Sequence, residues 1–108
     1  MLDPHVVEVL YFAGCPNHQP LMRRLRSLLA EVAAAAVVTE REVSDGEVEA
    51  ERFLGSPTVR VDGVDVEPGA ATRHTFGLTC RLYRSDGGLR GTPPVEWILA
   101  RLSEPACG

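Results

Sequence analysis

The sequence predicts a single α/β domain, with a sheet of about four strands flanked by helices, on three observations. Its 108 residues suit one hydrophobic core. Its apolar residues change period along the chain, from near-continuous β-branched runs to helical spacing and back. The segments so marked follow in the order strand, helix, strand, helix, hairpin, helix. No internal repeat, linker or low-complexity tract interrupts them, apart from the alanine run at 33–36.

Each element has its own signature. His5 to Phe12, HVVEVLYF, is rich in β-branched and aromatic residues and nearly continuous in apolarity, which suits a strand buried on both faces. From Asn17 the spacing changes. Leu21, Met22, Leu25, Leu28, Leu29 and Val32 draw one stripe along a helix, while Arg23, Arg24 and Arg26 fall on a solvated face. Pro16 and Pro20 fit only before that helix or within its first turn, where the missing N–H has no intrahelical partner. Cys15 therefore stands at the helix N-terminus. Residues 36–43, AVVTEREV, alternate as a second strand with Val37, Thr39, Arg41 and Val43 on one side. Ser44 and Glu47 make a capping box, which predicts a short helix to about Leu54 with Gly55 as its stop.

TVRVDGVDV at 58–66 reads as a hairpin, because Asp62-Gly63 suits a type I′ turn between alternating strands. A loop follows, then CRLYR at 80–84 as a further short strand and SDGGLRG as a turn region. TPPVEWILARL closes the chain with a helix. Thr92 is its expected N-cap, Pro93 its first residue, and Val95, Ile98, Leu99 and Leu102 its buried stripe. The tail from Ser103 has no anchor.

Composition narrows the function. A net charge of −4 and an isoelectric point near 5.3 argue against a nucleic-acid partner, which would need a basic face. No apolar run approaches the ~18–20 residues that span a bilayer. The first residues carry no secretory signal, so the expected compartment is the cytoplasm, with no membrane partner. The acidic residues at 40, 42, 45, 47, 49 and 51 read as a solvated rim. No motif implies a cofactor, and a zinc site built from His5, His74 and Cys80 lacks recognisable spacing. The oligomeric state leaves no mark in the sequence.

Cys15, Cys80 and Cys107 are the three cysteines. An odd count in a reducing compartment points to a reactive thiol or metal ligand rather than a disulfide framework. At the start of a helix, Cys15 meets amides and a positive partial charge that favour the thiolate, the nucleophilic form. His18, three residues on, stands on the same side of the first turn. As an imidazolium it would stabilise the thiolate; as a neutral base it would take the thiol proton. The alternatives are an inert buried cysteine and a plain surface histidine. Cys80 is either a small hydrophobe packed beneath a strand or a partner of Cys15, as resolving thiol or co-ligand. Cys107, in the tail, reads as an incidental thiol.

Cys15 at the first strand–helix junction, with GSPTVRV at 55–61 before the hairpin, resembles the thioredoxin fold. The resemblance covers nearly the whole chain and makes residues 1–108 one thioredoxin-like domain. It implies a three-layer sandwich around a central mixed sheet of about four strands. It also implies a cis bond before Pro57, substrate binding by Ser56, Pro57 and Thr58, and Cys15 as nucleophile in thiol–disulfide exchange. The substrate would be a protein or a low-molecular-weight thiol or disulfide. Where the family carries Cys-x-x-Cys, this chain has Cys15-Pro16-Asn17-His18, which leaves resolution to Cys80 or an external thiol. A narrower similarity is to the thioredoxin-like core of alkylmercury lyases, where a cysteine, an acidic residue and a later cysteine stand in the order of Cys15, His18 and Cys80. It implies soft-metal or organomercurial binding, or lyase-like chemistry, by Cys15 and Cys80. A non-catalytic interaction module is the third reading.

Overall fold

The apolar run at the start of the chain forms β1 (His5–Tyr11), which lies inside a sheet with a neighbour on each side. β2 (Ala36–Glu42) pairs with it in parallel and β3 (Thr58–Val61) pairs antiparallel on the other side. β4 (Val64–Asp65) extends β3, giving the order β2-β1-β3-β4. β5 (Tyr83–Ser85) and β6 (Gly88–Arg90) form a separate two-stranded ribbon. Two helices, α1 (His18–Val32) and α2 (Val95–Leu102), complete the fold. This computed structural model describes residues 4–32 and 36–103. The Val32 side chain, the alanines at 33–35, and residues 104–108 with Cys107 lie outside the described residues. The described residues thus form a mixed α/β fold with a four-stranded mixed sheet and two α-helices, compact at a radius of gyration of 13.3 Å.

Strand alternation decides which side chains meet which layer. Val7 and Val9 of β1, with Val59 and Val61 of β3, face the helices and pack against Leu21, Met22, Leu25 and Leu28 of α1 and Ile98 of α2. Each such side chain, fully buried, stabilises the fold by roughly 1.5–3 kcal/mol. Leu10 faces the other way and packs with Val43 and Phe53. Both α-helices therefore belong to the core on one face. The opposite face is covered by the segment that follows β2, which holds no α-helix among the described residues.

That segment is not the helix expected from 44 to 54. It holds one 3₁₀ turn, Asp45–Glu47, followed by turns. The cap itself is made. The Glu47 carboxylate accepts from the Ser44 N–H at 3.0 Å and from its hydroxyl at 2.8 Å, bonds that hold it below the usual carboxylate range. Propagation fails further on, where Arg52 takes a positive φ of 52° and the Phe53 N–H reaches back to the Val48 carbonyl. Burial of Phe53 against Leu10 and Val43 wins over helical regularity. Glu47 and Glu51, expected as a solvated rim, instead flank Arg41 at 3.7 and 2.7 Å, with Glu8 at 3.9 Å.

The hairpin turns as expected, with φ of 53° at Asp62 and 83° at Gly63. Asp62 also fastens the start of β1. Its carboxylate accepts from the Val6 N–H at 2.9 Å and lies 2.6 Å from His5 Nδ1, and these bonds hold it below the usual carboxylate range. Other boundaries need correction. Thr92 is not the cap, because Pro94 drives Pro93 out of helical conformation, and α2 begins only after Pro94. The turn region at 85–91 contains β6. The strand expected at 80–84 starts at Tyr83, while Cys80 makes a lone parallel bridge to Ser56.

Gly55 does not stop a helix. It lets the chain pass against the 79–81 segment: a Cβ there would lie 2.9 Å from Arg81 Cβ and 3.0 Å from the Thr79 carbonyl, at a φ of +129°. Gly55→Ala should therefore lower stability by at least about 2 kcal/mol, combining overpacking with a disallowed backbone. Gly46→Ala, with open space around it and no positive φ, should stay within roughly 0.5 kcal/mol. Urea unfolding of the two variants checks the contrast.

Candidate functional site

The chain leaves β1 at Phe12, turns through Gly14 at a φ of +88° and enters α1 at His18. Cys15 sits in this turn, half-buried, with its amide donating to the Phe12 carbonyl at 3.2 Å and its carbonyl accepting from the His18 N–H at 3.4 Å. The Leu21 N–H bonds to the Asn17 carbonyl at 3.2 Å, so the helical ladder begins two residues beyond Cys15. The thiol thus stands at the positive end of a fifteen-residue helix, where an anion is favoured. Cys15 and Cys80 are both free thiols.

His18 turns away from the role its spacing suggests. It is buried, at 7% exposure. Its ring lies flat on Tyr11, with centroids 3.6 Å apart and planes 10° from parallel. Glu40 of β2 accepts from Nε2 at 2.8 Å. The described contacts of the ring are thus to the sheet, and its link to Cys15 is the backbone bond. Sequence spacing placed His18 on the correct turn of the helix, but not its ring against the ends of β1 and β2.

Ser56, Pro57 and Thr58 are buried, and their polar atoms are committed to neighbours. Ser56 Oγ accepts from the Phe12 N–H at 3.3 Å. The Ser56 N–H donates to the Thr79 carbonyl at 2.8 Å, and the Ser56 carbonyl accepts from the Arg81 N–H at 2.9 Å. The Ser56–Pro57 bond is cis, and the Pro57 carbonyl accepts from the Tyr83 hydroxyl. Thr58 Oγ1 donates to the Gly55 carbonyl at 2.7 Å and accepts from Arg81 Nη1 at 3.0 Å. These residues hold other segments in place rather than offering side chains to solvent. Ser56 stands between Phe12, three residues before Cys15, and Cys80.

Arg81 is the residue that sequence reading missed. It is 2% exposed, bound to Asp65 through two bonds of 2.8 and 3.0 Å and to Glu67 at 3.0 Å. Its guanidinium lies 4.5 Å from the Tyr83 ring centroid. Burial alone would work against its charge, but the carboxylate bonds hold it protonated beyond its ordinary range. Nε is buried with no partner. Leu82 beside it is 59% exposed, the reverse of what apolar alternation suggests. A signal was present in Asp65 and Glu67: residues two apart on an extended chain share a side and require a cation.

Cys80 is exposed and borders a cleft of about 550 Å³ with Leu54, Thr75, Phe76 and Leu82 among its walls. Cys15 does not line that cleft. Among the described residues no three His, Cys, Asp or Glu side chains gather as metal ligands, and no helix is long and apolar enough to cross a membrane. No protein-family model, curated protein or solved structure matches the chain.

Tyr83 supplies a pH test of this packing. Burial pushes its hydroxyl well above the ordinary value of 10.0. In the unfolded chain it ionises at that ordinary value, so its contribution is intact below pH ~10 and is lost as pH rises toward the folded value. Tyr83→Phe should cost about 1–2 kcal/mol at neutral pH through the orphaned Pro57 carbonyl. It should also flatten the alkaline decline. Urea midpoints measured from about pH 8 to 11 check this; parallel declines in the two proteins would contradict it.

Proposed function

We propose that the chain is a thioredoxin-like thiol protein in which Cys15 carries out thiol–disulfide exchange and Cys80 completes the cycle. The observation that supports the reading most is the placing of two free thiols on segments joined through one residue. Cys15 follows Phe12, whose N–H is held by Ser56, and Ser56 is the bridge partner of Cys80. The Cys15 thiolate attacks one sulfur of a substrate disulfide, forming a mixed disulfide and expelling the other sulfur as a thiolate. The Cys80 thiolate then attacks the Cys15 sulfur, releasing the second substrate thiolate and leaving a Cys15–Cys80 disulfide. The substrate gains two electrons and the protein loses two; a further thiol reductant restores the dithiol.

Each group has a task in this scheme. The end of α1 favours the anionic form of Cys15. His18, fixed between Tyr11 and Glu40, holds the first helical turn and so the loop that carries the thiol. Ser56, Pro57 and Thr58 position the Cys80 segment. The scheme needs no cofactor and fits an intracellular, reducing setting.

Cys15→Ser should abolish reduction of a small aromatic disulfide. Cys80→Ser should retain the first attack but accumulate a mixed disulfide on Cys15, visible as a mass increase of one substrate half. Unchanged turnover in Cys15→Ser would contradict the assignment. Should Cys80→Ser leave turnover intact but abolish binding of an organomercurial, Cys80 is a soft-metal co-ligand rather than the resolving thiol, since two converging thiolates suit a soft ion.

A further inference from the structure

A groove beside the Cys15 loop has the features of a docking site. It measures about 1130 Å³ and is bordered by Asn17 of the loop, Arg24 of α1, Arg84 and Arg90 of the ribbon, and Trp97 of α2. Among the described residues the guanidinium groups of Arg24, Arg84 and Arg90 make neither a hydrogen bond nor an ion pair. Arg23 and Arg26, exposed on α1, make none either, whereas arginines of another cleft are committed. In the cleft of about 460 Å³ beside β3 and β4, Arg73 binds Glu67 at 2.6 Å, Arg60 binds the Glu51 carbonyl and Arg52 binds the Ala71 carbonyl at 3.0 Å. Asp86 and Glu96 also border the groove, which leaves its lining with an excess of positive charge in a protein of net charge −4.

Size and place narrow the occupant. The groove, at about 1130 Å³, lies just above the ~300–1,000 Å³ of an ordinary small-molecule pocket and has room for a short extended peptide. It also reaches the thiol loop. Gly91 packs so tightly on Asn17 that a Cβ there would lie 2.3 Å from Asn17 Nδ2, and Asn17 is two residues from Cys15. We propose that this groove docks an acidic peptide segment of a disulfide-bearing protein partner, its carboxylates received by Arg24, Arg84 and Arg90. The proposal rests on the reading of Cys15 as the exchanging thiol, and names the class of substrate that reading leaves open.

The test is binding of a labelled, cysteine-free, Asp/Glu-rich peptide to the full chain. It is followed by anisotropy and by the emission of Trp97, the chain's single tryptophan. Binding should saturate, and should weaken as ionic strength rises from about 0.01 to 0.15 M, where the screening length falls from roughly 30 to 8 Å. R24E/R90E places its changes on separate elements and should weaken binding roughly tenfold or more. R23E/R26E makes the same change in net charge on exposed positions that do not border the groove, and should weaken it less than about threefold. Absence of binding, or equal losses in the two double variants, would overturn the proposal. Tighter binding of a single-stranded oligonucleotide than of the peptide would overturn it in favour of a nucleic acid. If the peptide binds as described and Cys15 proves unreactive, the exchange reading fails while the groove stands. If Cys15 reacts and the peptide does not bind, the groove alone fails.

Discussion

A guanidinium taken out of water needs carboxylates in its own plane, and Arg81 finds them in Asp65 and Glu67 at the end of the β3–β4 hairpin. Its other contacts, to Thr58 and to the Tyr83 ring, tie it to the chain on either side. Removing one partner of such a buried network typically costs about 3–5 kcal/mol, because the remaining charge is left without compensation. The main-chain bonds of Thr79 and Arg81 to Ser56 then follow, and with them the place of Cys80 between those two residues. The second thiol is exposed, but the segment that carries it is anchored by a buried charge.

The candidate site is therefore assembled from three stretches far apart in sequence. Residues 12–18 carry Cys15, the proposed nucleophile, at the end of a helix; residues 55–58 form the buried joint, and residues 79–83 carry Cys80. Ser56 touches both of the others, through its hydroxyl to Phe12 and its main chain to the Cys80 segment. His18 meets this loop through its backbone bond to Cys15, while its ring stacks on Tyr11 and bonds to Glu40 on the face of the sheet that holds the helices. In the proposed scheme the imidazole therefore has a structural task and the thiols carry the chemistry.

What was legible in the sequence was whatever local physics decides. The apolar run of β1, the stripe of α1 and the Asp62-Gly63 turn each depend on residues within a few positions of one another, and each stands where periodicity or turn chemistry put it. The Ser44–Glu47 cap was also legible, but the helix it announced was not made, because Phe53 buries against Leu10 and Val43 instead. The burial of Arg81 and exposure of Leu82 were not legible for a related reason. Alternation would bury the leucine, yet the carboxylates of Asp65, in β4, and Glu67, just beyond it, pull the arginine inward. Gly55 looked like a helix stop because its close neighbours, Thr79 and Arg81, lie far along the chain. In each case the deciding partner was distant in sequence.

The central claim is that Cys15 and Cys80 act on one another through the joint at Ser56. Oxidation of the full chain carrying Cys107→Ser with a mild thiol oxidant, followed by tryptic mapping under non-reducing conditions, tests it most directly. The cysteines then fall in separate peptides, 1–23 and 74–81. The account predicts a monomeric product in which these two peptides are joined, at a yield independent of protein concentration. A product in which Cys15 is joined only between chains, with Cys80 left reduced, would contradict it.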